Sequence, residues 1–594
     1  MSLIILATAP TRAQSLLPQP RSIVTGSGEY RLPSTVSVTT DSPLLKSSRD
    51  AALDVLHAHE IGGWIAIRRS VSDTSLGREG YRLDVRQAGI TIAAAAPAGA
   101  FYAVQTLDEL LPYRGGGASV PAVSIVDSPA FAWRGIHLDV SRHFFPVPVV
   151  ERYIDVAAHF KLNVFHWHLT DDQGWRIQIN RYPRLTSVAS CRNGTMRDND
   201  ATDIDPHRYC GFYTQAQIRE VVAYAKARYV TIVPEIEMPG HSDAAVAAYP
   251  WLSCGGERIG VRETWGVSEH IYCPTDRTFT FLENVLTEVM TLFPSVYIHT
   301  GGDEVPKAEW ERSSVVHQLM AREHLANYDA VQGYFDRRIE AFLRAHGRRM
   351  IGWDEILDGG VTQSATIMAW QNTERGIKAI RAGHPTVMSP DGLLYFDALQ
   401  GDENDEPLGI GGLTTPQMVY GFVPPAGAIG IQGNLWTEYI PTPHQLFYML
   451  LPRLMALADV AWSDERPRAW AAYAQRAGAQ YAWLTRHGYP FRIPNPSFTL
   501  AADTAVSYAN VSSSPRTVSA LTSSAQVTVS INDDVPGATI RYTLDGSTPT
   551  ATSPAYTAPF ALQLDSAQAH DVMAVAVLPD GRISTPSALH VERR

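Results

Sequence analysis

The sequence predicts an α/β fold: a (β/α)8 TIM barrel with an N-terminal α+β domain and a C-terminal β-sandwich module. Three observations point there. Between Trp133 and Trp483 brief apolar runs alternate with helical stretches, and eight runs qualify as strands: Gly135–Val140, Asn163–Leu169, Thr231–Ile236, Val296–Thr300, Met350–Trp353, Thr366–Trp370, Thr386–Ser389 and Ile429–Leu435. Eight such units over about 350 residues suit a closed barrel, whose chemistry sits at the C-terminal ends of its strands. The chain is also too long, at 594 residues, for a single core. Finally, after Tyr489-Pro490 the composition turns to Ser, Thr, Ala and Pro, and helical spacing ends.

In chain order, residues 1–14 read as the remnant of a signal peptide. Leu3-Ile4-Ile5-Leu6-Ala7 is apolar and a small-residue site lies near Ala13-Gln14, although no basic segment precedes them. A secreted or periplasmic protein is expected. Residues 15–130 should form the α+β domain, with β-like runs Val36–Thr39, Tyr81–Val85 and Ile90–Ile92 and helical stretches Ala51–His59 and Ala98–Leu111. The barrel is expected over 131–488, a linker over 489–520 and the β-sandwich over 521–594, where an alternating run ends on the Asp545-Gly546 turn and Val572–Val577 supplies another strand.

Composition narrows the partners. No apolar run approaches the ~20 residues of a membrane-spanning helix. A formal charge of -11 without a Lys/Arg-rich run speaks against nucleic acid or an anionic membrane as the main partner and suits a neutral substrate. The four cysteines fall as two pairs of equal spacing, Cys191 with Cys210 and Cys254 with Cys273. Local disulfides and four separate core thiols both fit that spacing, and the lack of Cys-x-x-Cys argues against structural zinc.

Polar residues gather where the strands should end. In His299-Thr300-Gly301-Gly302-Asp303-Glu304, paired glycines that let backbone approach a ligand precede two carboxylates. An Asp-Glu pair alone is ordinary at a helix start, where its charge offsets the dipole. Its company is not ordinary: Ser141-Arg142-His143-Phe144, His166-Trp167-His168-Leu169-Thr170-Asp171-Asp172, Pro234-Glu235-Ile236-Glu237-Met238-Pro239-Gly240-His241, Gly352-Trp353-Asp354-Glu355, Ala369-Trp370-Gln371, Tyr395-Phe396-Asp397 and Leu435-Trp436-Thr437-Glu438. In this order the motifs resemble glycoside hydrolase family 20, the β-N-acetylhexosaminidases and chitobiases, across nearly the whole chain.

The resemblance implies an exo-acting retaining hydrolase that removes terminal β-linked GlcNAc or GalNAc from a glycan or chitooligosaccharide and needs no cofactor. Cleavage passes through an oxocarbenium-like state, so the leaving oxygen needs a proton and the anomeric carbon an electron donor. Glu304 matches the family's acid, and the donor is the substrate's own acetamido oxygen, which sets this family apart from the two-carboxylate scheme. Asp303 matches the residue that binds the acetamido N–H and stabilises the oxazolinium, and Tyr395 the partner of the acetamido oxygen. Asp171 and His241 match a relay that tunes the acid, whose pKa should be raised for work near neutrality. Arg142, Asp397 and Glu438 match residues that grip sugar hydroxyls, and Trp353, Trp370 and Trp436 the aromatic walls.

His166 and His168 share a strand face, but spacing offers them no third ligand, so no metal is expected. One departure from the family stands out: no Trp lies between Asp397 and Trp436, where its pocket often has one. A lacto-N-biosidase-like enzyme releasing disaccharide and a non-catalytic sugar-binding protein are the alternative readings.

Overall fold

The computed structural model describes residues 12–70, 75–112, 119–401, 403, 406–463, 468–502, 507–509, 517–533, 535, 537–565 and 569–593. Most of the expected signal segment therefore lies outside the described residues. Arg12–Ser15 is a short 3-10 helix, and Ala13 is buried with Leu16 and Leu17, so these residues belong to the folded body.

The N-terminal part is a six-stranded mixed sheet in the order Ser22–Arg31, Ser119–Asp127, Tyr81–Arg86, Gly89–Ala94, Gly63–Arg69 and Val36–Thr40. Tyr81, Leu83 and Val85 alternate inward, as a half-buried strand requires. The helices Lys46–Ala58 and Pro97–Leu110 pack on the sheet, and the second is buried almost all round because it is also packed towards the barrel, with the Tyr102 ring 5.1 Å from that of Trp462. Three of the six strands, Ser22–Arg31, Gly63–Arg69 and Ser119–Asp127, were not among the expected runs. The first is mostly exposed and polar, so no apolar alternation marks it.

All eight expected barrel strands form and close into a parallel barrel: Trp133–Asp139, Val164–His168, Thr231–Glu235, Tyr297–His299, Arg349–Trp353, Thr366–Ala369, Thr386–Met388 and Gly430–Gly433. Trp133–Asp139 and Val164–His168 are buried at every position, the mark of strands covered on both faces. Long helices follow most strands, among them Val147–His159, Gln215–Ala227, Asp276–Leu292 and Tyr328–Ala345. The fifth and sixth strands are joined instead by the 3-10 turn Asp354–Leu357, which holds the backbone after Trp353 close to the barrel mouth.

The C-terminal part is two facing sheets with their own core of Leu500, Val527, Val529, Ile531, Leu562, Val572, Leu589 and Val591. The expected linker over 489–520 needs correction. Tyr489, Phe491 and Ile493 belong to the main core, Ser497–Ala502 pairs with Gln526–Asn532, and Thr517–Thr522 pairs with Ser587–Arg593. Ser/Thr-rich composition hid a period-two pattern that belongs to the sandwich.

Candidate active site

The strand ends carry the site. After the fourth strand the chain turns through Gly301 (φ 65°) and Gly302 (φ 98°), left-handed conformations that glycine adopts without penalty. A Cβ on Gly301 would lie 1.7 Å from Glu237 Oε2, and one on Gly302 2.5 Å from Ile356. This tight turn delivers Asp303 and Glu304 to the mouth. Glu304 itself has φ 47° and His241 φ 48°, strained values for residues with a Cβ, and such strain gathers where function demands it.

A cavity of about 430 Å³ opens there, lined by Arg142, His241, Asp303, Glu304, Trp370, Tyr395, Asp397, Trp436 and Glu438. Nine of the eleven site residues expected from sequence thus face one space. Asp171 and Trp353 are not in its lining. Trp353 is buried behind it, its ring 5.8 Å from Trp436 and 4.8 Å from His299, and Asp171 is buried beneath Arg142 and His241. Trp370 Nε1 donates to Glu355 Oε2 at 2.9 Å, which fixes the plane of that wall, and its ring stacks at 6.1 Å on Tyr395.

Electrostatics is organised around two cations. Arg142 Nη2 lies 2.9 Å from Asp171 Oδ2, while Nη1 lies 3.3 Å from Asp139 Oδ2 and 3.5 Å from Glu438 Oε1. Its Nε donates to Gln173 at 2.9 Å, and its guanidinium sits 5.1 Å from the centre of the Trp436 ring. His241 has Nδ1 at 3.2 Å from Asp171 Oδ1, and Nε2 at 3.5 Å from Asp303 and 3.6 Å from Glu304. Burial opposes its charge, yet Asp171 and Asp303 raise its pKa well above the ordinary histidine value.

The two carboxylates at the mouth differ in environment. Asp303 is buried, its Oδ1 has no hydrogen-bond partner, and burial, opposed by His241 and reinforced by Glu355, Glu235 and Glu304, pushes its carboxyl up to about 8. Glu304 is 42% exposed at the side chain, and the His241 imidazole 3.6 Å away holds it below the ordinary range. The raised pKa expected of Glu304 is therefore found on Asp303, because His241 lies at nearly the same distance from both carboxylates and Asp303 is the more deeply buried. Asp397, whose Oδ1 is also unpartnered, is pushed up to about 8 by burial and by Glu438.

Sequence reasoning missed part of the lining. Trp265, Gly266 and Val267 enter the cavity from the loop closed by the Cys254–Cys273 disulfide, and Trp-Gly-Val between two cysteines was the available signal. Asp391, Gly392 and the stretch 410–414 complete the lining. Of the two readings of the cysteine spacing the structure shows local disulfides, with Cys254–Cys273 bonded and Cys191–Cys210 pairing across a two-stranded ribbon.

Deeper in the barrel, His137, His166, His168 and His299 surround Glu235, so His166 and His168 have the third partner that spacing could not reveal. Groups that could hold a metal are His137, His168 and Glu235; His166, Glu235 and His299; Asp171, Asp172 and His241; and His241, Asp303 and Glu304. In each group the carboxylates lie within 4.0 Å of an imidazole nitrogen.

Comparison with known proteins places this geometry. The model of the glycosyl hydrolase family 20 catalytic domain matches residues 131–465, and that of the family's domain 2 matches residues 13–128. The chain belongs to glycosyl hydrolase family 20. The chitobiase/β-hexosaminidase C-terminal domain matches residues 518–584 of this family 20 hydrolase. It is 38% identical to a β-hexosaminidase of Porphyromonas gingivalis over 93% of this chain and 69% of that protein. A β-hexosaminidase of Vibrio furnissii is 34% identical over 76% of this chain and 77% of its own length. The solved exo β-N-acetylglucosaminidase of Vibrio harveyi, in complex with N-acetylglucosamine, superposes with a TM-score of 0.74 at 33% identity, covering 82% of this chain and 79% of that one. The N-acetyl-β-hexosaminidase of Streptomyces plicatus gives 0.71 at 32% identity, covering 81% and 98%. The family 20 chain is a glycoside hydrolase of the β-hexosaminidase kind.

Proposed function

We propose that the chain is a retaining exo-β-N-acetylhexosaminidase that releases terminal β-linked GlcNAc or GalNAc, with the substrate's acetamido oxygen as nucleophile. The observation that carries this reading is the unpartnered, buried Asp303 Oδ1 facing the cavity beside Glu304. A buried acceptor without a donor is costly, and an acetamido N–H supplies that donor. Its hydrogen bond favours the Asp303 anion. The proton Asp303 gives up is then available to Glu304, its neighbour across His241, where the leaving oxygen needs it.

Attack by the acetamido oxygen on the anomeric carbon breaks the glycosidic C–O bond as Glu304 protonates the departing oxygen. The oxazolinium formed carries positive charge against the Asp303 carboxylate, and the Tyr395 hydroxyl, held protonated by burial, donates to the acetamido oxygen. Water, deprotonated by the Glu304 carboxylate, then opens the ring from the same face. Arg142, Asp397 and Glu438 bind the sugar hydroxyls, and Trp370 and Trp436 flank the sugar and its acetyl methyl with Trp353 behind them. Two disulfides support export to an oxidising compartment. Proton NMR of the reaction tests the stereochemistry: β-configured N-acetylhexosamine appears first and mutarotates afterwards, whereas initial α product excludes the mechanism.

A further inference from the structure

The barrel histidines are not equivalent. Burial lowers His137 and His166, the latter to about 4, so both are neutral fillers, and His299 Nδ1 turns towards Glu235 Oε1 at 2.7 Å. His168 differs because both of its ring nitrogens meet carboxylates: Nδ1 pairs with Glu235 Oε2, and Nε2 lies 2.9 Å from Asp171 Oδ2. An imidazole donates from both nitrogens only as the cation. We propose that His168, braced by Glu235, is a positioning residue that keeps Asp171 anionic and aimed at Arg142 and His241, and through them sets the charge at Asp303 and Glu304. The inference rests on the reading of Asp303 and Glu304 given above.

Asp171 shows why such an anchor is needed. It is buried, and an isolated buried carboxylate takes up a proton rather than stay charged. Its Oδ2 is shared by His168 and Arg142, while its Oδ1 accepts the Asp172 backbone N–H at 2.6 Å and faces His241. Burial is opposed by Arg142, His241 and His168, which hold its pKa well below the carboxylate range. Around His168 itself stand Glu235, Asp171, Glu237 at 4.0 Å, Asp139, the His137 ring at 5.6 Å and the Trp436 ring at 4.9 Å. Burial opposes its charge, but Glu235 and Asp171 raise it to about 10. The chain Glu235–His168–Asp171–His241 thus joins the barrel core to the two carboxylates at the mouth.

The test is His168→Gln, which keeps bulk and a donor but removes the charge. With one buried cation gone, neighbouring groups hold their protons more tightly, so the basic limb of the kcat/KM profile moves up by about half to one pH unit. Turnover should fall about tenfold with KM changed less than about twofold, as for a group that acts in the transition state. A variant of lowered Tm whose pH limb does not move would show that His168 only fills space. Should that variant not fold, NMR of histidine-labelled wild type decides: the His168 ring stays imidazolium from pH 5 to beyond 8, and a ring that titrates in that interval overturns the proposal.

Discussion

Replacing Glu304 by Gln removes the capacity to carry a transferable proton, together with the charge that faces His241, and leaves the shape of the side chain. The side chain is 42% exposed and its recorded polar neighbour is His241 Nε2 at 3.6 Å, so an amide of the same shape disturbs no buried packing. Substitutions at such positions cost within about 0.5 kcal/mol of stability, and KM should hold. The loss falls on the barrier. General acid catalysis contributes about 10²- to 10⁴-fold, or about 2.7–5.4 kcal/mol, for a sugar aglycone that leaves poorly without a proton. Aryl aglycones that leave as stable phenolates need less help. The assay is kcat/KM for wild type and variant across chitobiose and a series of aryl N-acetyl-β-glucosaminides of graded leaving-group acidity. The loss should shrink steadily as the leaving group improves. An equal loss across the series would refute the role of Glu304 as proton donor.

Three further predictions follow from the same geometry. The Asp303–Glu304 pair shares one proton in the free site, and since Asp303 is raised to about 8, kcat/KM should fall as the pH rises through about 8 and that proton is lost; a profile flat to pH 9 contradicts it. Arg142→Met takes the shared guanidinium from the buried Asp139 and Asp171 and the half-buried Glu438 and should cost about 3–5 kcal/mol in denaturant unfolding, with lost sugar binding. Joint replacement of Cys254 and Cys273 by Ser opens the loop that carries Trp265 and Val267, and should cost about 3 kcal/mol while raising KM; unchanged KM would show that the loop holds its place unaided.

Much of this architecture was legible in the sequence, for definite reasons. Barrel strands such as Val164–His168 are apolar runs bounded by polar strand ends, and those ends are where a barrel keeps its chemistry; the motifs found there resemble family 20, and that resemblance named Arg142, Asp303, Glu304, Tyr395 and Glu438, which line one cavity. What escaped notice has equally physical causes. Ser22–Arg31 is exposed and polar, so burial writes no pattern into it, and Ser497–Ala502 buries Leu500 within a Ser/Thr-rich stretch that resembles a linker. Charge placement was the least legible. The burial of Asp303, the hold of His241 on Glu304 and the meeting of His168 with Glu235 depend on strands brought together by barrel closure, which spacing along the chain does not record.

The central claim is that the substrate supplies its own nucleophile, and fluorination of the acetyl methyl tests it most directly. Each fluorine withdraws electron density from the acetamido oxygen without changing the glycosidic bond or the sugar hydroxyls. If that oxygen attacks the anomeric carbon, kcat/KM should fall steadily from acetyl through mono-, di- and trifluoroacetyl aryl glycosides, and the matching β-glucoside should be nearly inert. Constant rates across the series, or a sugar trapped covalently on Asp303, would mean that a protein carboxylate is the nucleophile.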